Sequence, residues 1–275
     1  MPIVRADDLD IHYLEAGSGT PVVLLHGNWA TSSWWEPVLA TVPPKVRALA
    51  PDLRGRGRTS GPDSDYRIAS LAADLRSFAD ALALHRFDLV GHSLGSAVAL
   101  EFALTWSERP SSLVLVSPAW IDGMPDAYAV PERQRLLKED TLFLARALRA
   151  IVPGAPDDER WERLIREGSE QRLEAALANV PALLEWRPGD RLREIAVPRV
   201  VITGALDAFT GGANAQRVAS ALGCDLVTMD GVGHGPMLEA PERFSAVLWA
   251  WIGRTSERPA AAEGRDPREP AGGGG

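Results

Sequence analysis

The sequence predicts an α/β chain, a doubly wound and mostly parallel sheet, on three observations. Short apolar runs recur along the chain, each closed by turn residues. Helical stretches alternate with them, and the alternation is broken once, by a long helical excursion. Parallel strands buried on both faces read as near-continuous apolar runs of this kind. Strands alternating with helices wind into one sheet, and ligands then lie beyond the carboxyl ends of its strands.

Taken in order, the strand-like runs cover residues 22–25 before His26-Gly27, 46–49 before Ala50-Pro51-Asp52, 87–90 before Gly91, and 113–116 before Ser117-Pro118. Residues 200–202 end at Thr203-Gly204, and 225–229 end at Asp230-Gly231. Helical patterns cover residues 68–84, 95–106, 213–222 and 241–251. Between Trp120 and Arg187 there is no convincing strand. Two long helical patterns, 131–151 and 156–186, fill that stretch and are divided by Pro153, Gly154 and Pro156. Residues 120–187 therefore read as a helical cap over the active edge of a core built from 1–119 and 188–253. Most apolar cap residues are expected to pack, and a few to line a pocket. Residues 254–275 are Ala, Pro, Glu, Arg and Gly without period, and are expected to form a disordered tail.

Composition narrows the class. The chain has 275 residues, enough for one large domain with a modest insertion. Its net charge of -8 argues against non-specific binding to nucleic acid or to an anionic membrane. A single cysteine, Cys224, leaves no intrachain disulfide framework and suits a reducing compartment. The first ten residues carry no apolar core of a secretory signal, and no run is long enough to span a membrane. A cytoplasmic protein is the expectation, and nothing in the sequence suggests a metal or an organic cofactor.

Gly91-His92-Ser93-Leu94-Gly95 fits G-x-S-x-G, with an apolar strand before it and a helical pattern after it. A serine on so sharp a strand-to-helix turn brings the residues two before and two after it into contact, so both must be small. The peptide N–H of Leu94 then points from a helix N-terminus toward a developing oxyanion. Serine attacks well only if a base takes its proton. Of five histidines, His12 lies in an early strand-like segment, His85 ends a helix, and His92 is expected to point away from its neighbour Ser93. His234, in the glycine-rich loop Asp230-Gly231-Val232-Gly233-His234-Gly235, is the expected base. Asp207, just past the strand at 200–202, is the expected acid, ahead of Asp122. Asp52 is expected to hold its own turn together.

Five stations in order, His26-Gly27-Asn28-Trp29, Asp52-Leu53-Arg54-Gly55-Arg56-Gly57, the Ser93 elbow, Gly204-Ala205-Leu206-Asp207 and Gly233-His234, resemble the α/β-hydrolase superfamily over residues 3–253. The resemblance implies an eight-stranded-type sheet with the helical cap inserted after the sixth strand, and a serine-nucleophile member of the esterase and lactonase kind. It implies that Asn28 supplies the second oxyanion N–H and that His26 is structural. His-Gly-Asn is also similar to the start of haloalkane dehalogenases, and epoxide hydrolases are further relatives. Both use an aspartate nucleophile where this chain has Ser93, which argues against an alkyl-enzyme ester.

The expected reaction is hydrolysis of a carboxylic ester, lactone or thioester of a small, apolar substrate through an acyl-enzyme. The alternatives are cleavage of a carbon–carbon bond in a β-diketone-type substrate, and a non-hydrolytic or binding member of the same fold. Trp29 and Trp120 follow strand ends at the active edge and are the expected substrate-binding residues. Oligomeric state and natural substrate are not legible in the sequence.

Overall fold

A computed structural model describes residues 2–63, 65–128 and 130–256. Eight strands form one sheet in the order β1 (Ile3–Ala6), β2 (Leu9–Gly17), β4 (Val46–Pro51), β3 (Thr20–Leu25), β5 (Phe87–His92), β6 (Pro110–Val116), β7 (Arg199–Gly204), β8 (Asp225–Met229). β1 and β2 pair antiparallel, as do β2 and β4; every pairing from β4 to β8 is parallel. The expected runs fall inside β3 to β8, and burial explains why they were legible. All six residues of β5 and the last four of β3 are buried, so both faces of these strands are apolar.

Helices cover both faces. Of the ten α-helices among the described residues, α2 (Ile68–Ala81), α3 (Leu94–Thr105) and α8 (Gly211–Leu222) pack with one side of the sheet. The short α1 (Glu36–Leu39) and α10 (Pro241–Ser256) cover the other, while α9 (Pro236–Glu239) follows the histidine loop. Each face closes on its own apolar core. α3 shows what that demands: it is buried on nearly all sides, with Gly95, Ala97 and Ala99 fully enclosed.

Four helices lie between β6 and β7: α4 (Pro131–Glu139), α5 (Thr141–Ile151), α6 (Glu159–Ser169) and α7 (Leu173–Glu185). Two longer helices were expected there. The first divides at Asp140, whose extended backbone leaves the helix and whose carboxylate accepts the Leu142 and Phe143 N–H groups, starting a new one. The second divides at residues 170–172, where Arg172 N–H donates to Gly55 O of the core at 2.8 Å rather than within a helix.

The expected tail needs a correction at its start. Residues 254–256 continue α10, with the Thr255 hydroxyl donating to Ile252 O at 2.9 Å and the Arg254 cation at the helix C-terminus. The rest of that tail, 257–275, lies outside the described residues. Among the described residues no helix is long and apolar enough to cross a membrane. Cys224 is half-buried, and burial raises its thiol to about 11, which disfavours the thiolate.

Candidate active site

β5 ends at His92, and the chain turns into α3 through Ser93, whose φ of 51° and ψ of -118° lie outside the regions most side chains adopt. Such a conformation costs about 1–3 kcal/mol and persists only where the surroundings enforce it. They do so here by close approach. A Cβ on Gly91 would stand 2.4 Å from Gly95 O, and one on Gly95 would stand 2.6 Å from Leu25 O. Only glycines at both positions allow the elbow, as the spacing of the motif required.

The turn after β3 runs alongside. A Cβ on Gly27 would lie 3.0 Å from Ser93 Cβ, so the Gly27–Asn28 peptide borders the serine. Trp29 takes a φ of 56°, and Asn28 Oδ1 holds it there by accepting the Trp29 N–H at 2.9 Å.

Loops after β7 and β8 bring the other two residues together. Gly204 ends β7, and a Cβ there would meet Gly233 O at 2.1 Å, so these two loops pack backbone to backbone. His234 Nδ1 and Asp207 Oδ2 are 3.0 Å apart, with both side chains buried. Burial pushes the Asp207 carboxyl up, but the charge and bond of His234, the Thr210 hydroxyl at 2.8 Å and the Phe209 N–H at 3.0 Å outweigh it. The acid is held well below the usual carboxylate range and stays ionised, able to orient and stabilise an imidazolium. The rival Asp122 is exposed and pairs with Arg217 at 3.2 Å.

Ser93, His234, Asn28 and Trp29 line one cavity, and Asp207 stands behind His234. Leu94 contributes no lining side chain, and its backbone opens α3. Trp120 is not at the cavity wall. It packs behind Tyr128 and Phe209, at 5.4 and 5.2 Å between ring centres, and these two line the cavity in its place. The wall contributed by the inserted helices is mostly apolar: Leu137, Leu144, Leu148, Ile151 and Val180.

Several site residues were not foreseen in the sequence. His92 does not simply point away: its Nε2 bonds His234 O at 2.9 Å and its ring lies 5.0 Å from the His234 ring. Burial, then the nearby His234 charge, pulls His92 down to about 3, so it is neutral and donates that bond. Glu239 ties the histidine loop by accepting the N–H groups of Gly233 and Gly235, both at 3.0 Å. It also accepts Gly154 N–H at 2.9 Å, and His234 N–H donates to Ile151 O at 2.8 Å, so the inserted helices help hold the imidazole. Glu239 lies five residues after His234, but its partner Gly154 comes from a distant segment that no local pattern announces. Among the described residues no group of His, Cys, Asp or Glu could hold a metal ion.

A buried serine elbow and a bonded His–Asp pair at the carboxyl edge of this sheet define a class, the hydrolases built on an α/β sheet. The chain belongs to the alpha/beta hydrolase family, whose model matches residues 22–247. It is 27% identical to a haloalkane dehalogenase of Mesorhizobium japonicum over 274 residues, covering 89% of this chain and 88% of that one. It is 26% identical to the 2-hydroxy-6-oxo-6-phenylhexa-2,4-dienoate hydrolase of Comamonas testosteroni over 260 residues, covering 86% of this chain and 89% of that one. Among solved structures it is similar to Est816, described as an N-acyl homoserine lactone degrading enzyme. That match has a TM-score of 0.75 and 27% identity, covering 90% of this chain and 99% of that one. Three different activities are named among these relatives, so the fold alone does not choose the reaction.

Proposed function

We propose that this protein is a serine hydrolase that cleaves a carboxylic ester, lactones and thioesters included, of a small and mainly apolar substrate. The observation that carries this is the strained Ser93 elbow opening on the same cavity as His234, whose far nitrogen is bonded to an ionised Asp207. An aspartate nucleophile of the dehalogenase kind has no counterpart at the elbow, where the residue is serine.

In this mechanism Ser93 Oγ attacks the carbonyl carbon as His234 Nε2 takes its proton. The oxyanion is held by the N–H groups of Leu94 and Asn28, each such donor being worth about 3 kcal/mol in related sites. The tetrahedral species collapses, the alkoxide leaves with the proton from His234, and the acyl group stays on Ser93. Water then enters, loses a proton to His234 and attacks the acyl carbon. Collapse returns that proton to Ser93 and releases the acid. The helices α4 to α7 act as a cap whose apolar wall receives the acyl or alkoxy group, and Trp29 flanks it.

Similarity to the Comamonas hydrolase supports a second reading, cleavage of a carbon–carbon bond next to a ketone by the same triad. The two separate in one experiment, initial rates on 4-nitrophenyl esters of rising acyl length beside a 2-hydroxy-6-oxo-dienoate. Ester turnover that rises with chain length is expected, since each buried CH₂ gains about 0.8 kcal/mol, or roughly fourfold in rate. Preferential loss of the dienoate chromophore would favour the second reading, and folded protein inert toward every ester would contradict the first.

A further inference from the structure

Behind the turn that carries Asn28 stands a cation the mechanism above does not use. Arg56 is only 1% exposed. Its Nη1 donates to Arg54 O at 2.9 Å, its Nη2 donates to Asn179 Oδ1, and its Nε has no partner. No carboxylate pairs with it among the described residues. Burial lowers the guanidinium to about 10, which leaves it charged at neutral pH. A buried cation without a carboxylate is costly, so its retention calls for a physical reason.

Asn179 is on α7, also 1% exposed, and its Nδ2 donates to Asn28 Oδ1. The direction of this chain is forced from both ends. A guanidinium can only donate, so the Asn179 atom facing it is oxygen and the other is the NH₂ group. That NH₂ requires an oxygen on Asn28, and the Trp29 N–H independently requires an oxygen at the same place. Asn28 Nδ2 is thus turned away from both and has no hydrogen-bond partner among the described residues, and the Asn28 side chain is only partly buried. Asn28 lines the cavity beside Ser93, which is where that donor can act.

Building on the serine-hydrolase reading, we propose that Arg56 and Asn179 are positioning residues of a donor relay, and that the Asn28 side-chain amide is a further donor to the substrate's reacting carbonyl oxygen. Each donor in series polarises the next, so the guanidinium charge strengthens the hydrogen bonds that the Asn28 N–H groups can donate. The anion this cation complements is the transient oxyanion, and a resident carboxylate would cancel it. Because Arg56 belongs to the core and Asn179 to the inserted helices, the relay is complete only when α7 is seated on the core.

The test is Asn179→Asp. The new carboxylate neutralises Arg56 and takes away the donor that faced Asn28 Oδ1, while the Trp29 N–H still holds that oxygen in place, so the Asn28 amide keeps its orientation and loses the charge that polarises it. The melting temperature is expected to hold or rise while kcat on a 4-nitrophenyl ester falls about 10- to 100-fold and KM changes little. A purely structural Asn179 would leave kcat following stability, so a variant that melts no lower and keeps wild-type kcat overturns the relay. If Asn179→Asp does not fold, Asn28→Ala keeps the backbone N–H and removes Nδ2. A kcat loss of about 100-fold at near-constant KM is then expected, and unchanged kcat overturns the proposal. A wild type that turns over no ester removes the hydrolase reading and the relay with it, whereas an active wild type with fully active variants removes only the relay.

Discussion

His12–Asp52 and His234–Asp207 are the same two side chains bonded through the same ring nitrogen, at 2.7 and 3.0 Å. All four side chains are buried. They differ in what the carboxylate holds and what the second ring nitrogen meets. Asp52 accepts Ser32 N–H at 2.7 Å and Arg58 N–H at 3.0 Å, and so clamps its own turn to the turn after β3. His12 Nε2 is buried with no hydrogen-bond partner among the described residues. His234 instead lines the cavity that Ser93 lines, with Phe209 standing edge-on to its ring at 5.2 Å. A bonded pair marks a place where an acid orients a base, and the space before the second nitrogen decides whether that base has a proton to take.

Exchanging the two pairs' fates is the largest expected effect. His234→Ala should cut ester turnover by about 10⁶ and leave the fold intact, as losing the base does in a comparable triad. His12→Ala should do the reverse, costing about 1–3 kcal/mol of stability because buried Asp52 loses the side-chain donor that joins its turn to β2, while folded molecules keep their turnover. Chemical denaturation and steady-state rates on both variants measure this, and equal losses of activity would erase the distinction. Asp207→Asn is expected to fall between them, at about 10⁴ in kcat with little loss of stability, by favouring the wrong tautomer.

A smaller effect separates the titrating histidines from the bonded pairs. Burial lowers His26 to about 4, and burial with the His234 charge lowers His92 to about 3, from an ordinary 6.5. The folded state therefore keeps both neutral where the unfolded chain takes up protons. Stability from these groups is fully present above pH 6.5 and falls below it, by roughly 1.4 kcal/mol per pH unit for each, until the folded values are reached. Asp52, held low by His12 and backbone N–H groups against the cost of burial, adds its own loss only below the ordinary carboxylate range. Urea melts from pH 7 to 4 measure the slope, and a flat profile over that window contradicts it. Smallest of all, Ser93→Gly should raise stability by about 1 kcal/mol by relieving the positive φ while abolishing turnover.

Much of this comparison was legible in the sequence, for reasons that also mark where legibility ended. Strands buried on both faces show as unbroken apolar runs, and the elbow shows because only glycine fits at 91 against the Gly95 backbone and at 95 against the Leu25 and His26 carbonyls. Ser93, Asp207 and His234 each follow a strand end, so their convergence follows from one parallel sheet. What escaped was long in range or polar in the interior. The Arg56–Asn179 and Asn179–Asn28 bonds join residues 123 and 151 positions apart, and neither residue type announces a buried partner. Trp120 has the right strand end, but Tyr128 and Phe209 fill the space between it and the cavity. The break at Asp140 is a cap inside a continuous helical pattern, where periodicity alone favours continuation.

All of this chemistry requires Ser93 to be an activated nucleophile. A fluorophosphonate probe, with the adduct located by mass spectrometry, tests it most directly across wild type, Ser93→Ala, His234→Ala and His12→Ala. The expected result is one adduct on Ser93, absent in Ser93→Ala, strongly slowed in His234→Ala and formed at the wild-type rate in His12→Ala. Folded wild-type protein that stays unlabelled, or an adduct that persists in Ser93→Ala, would contradict it.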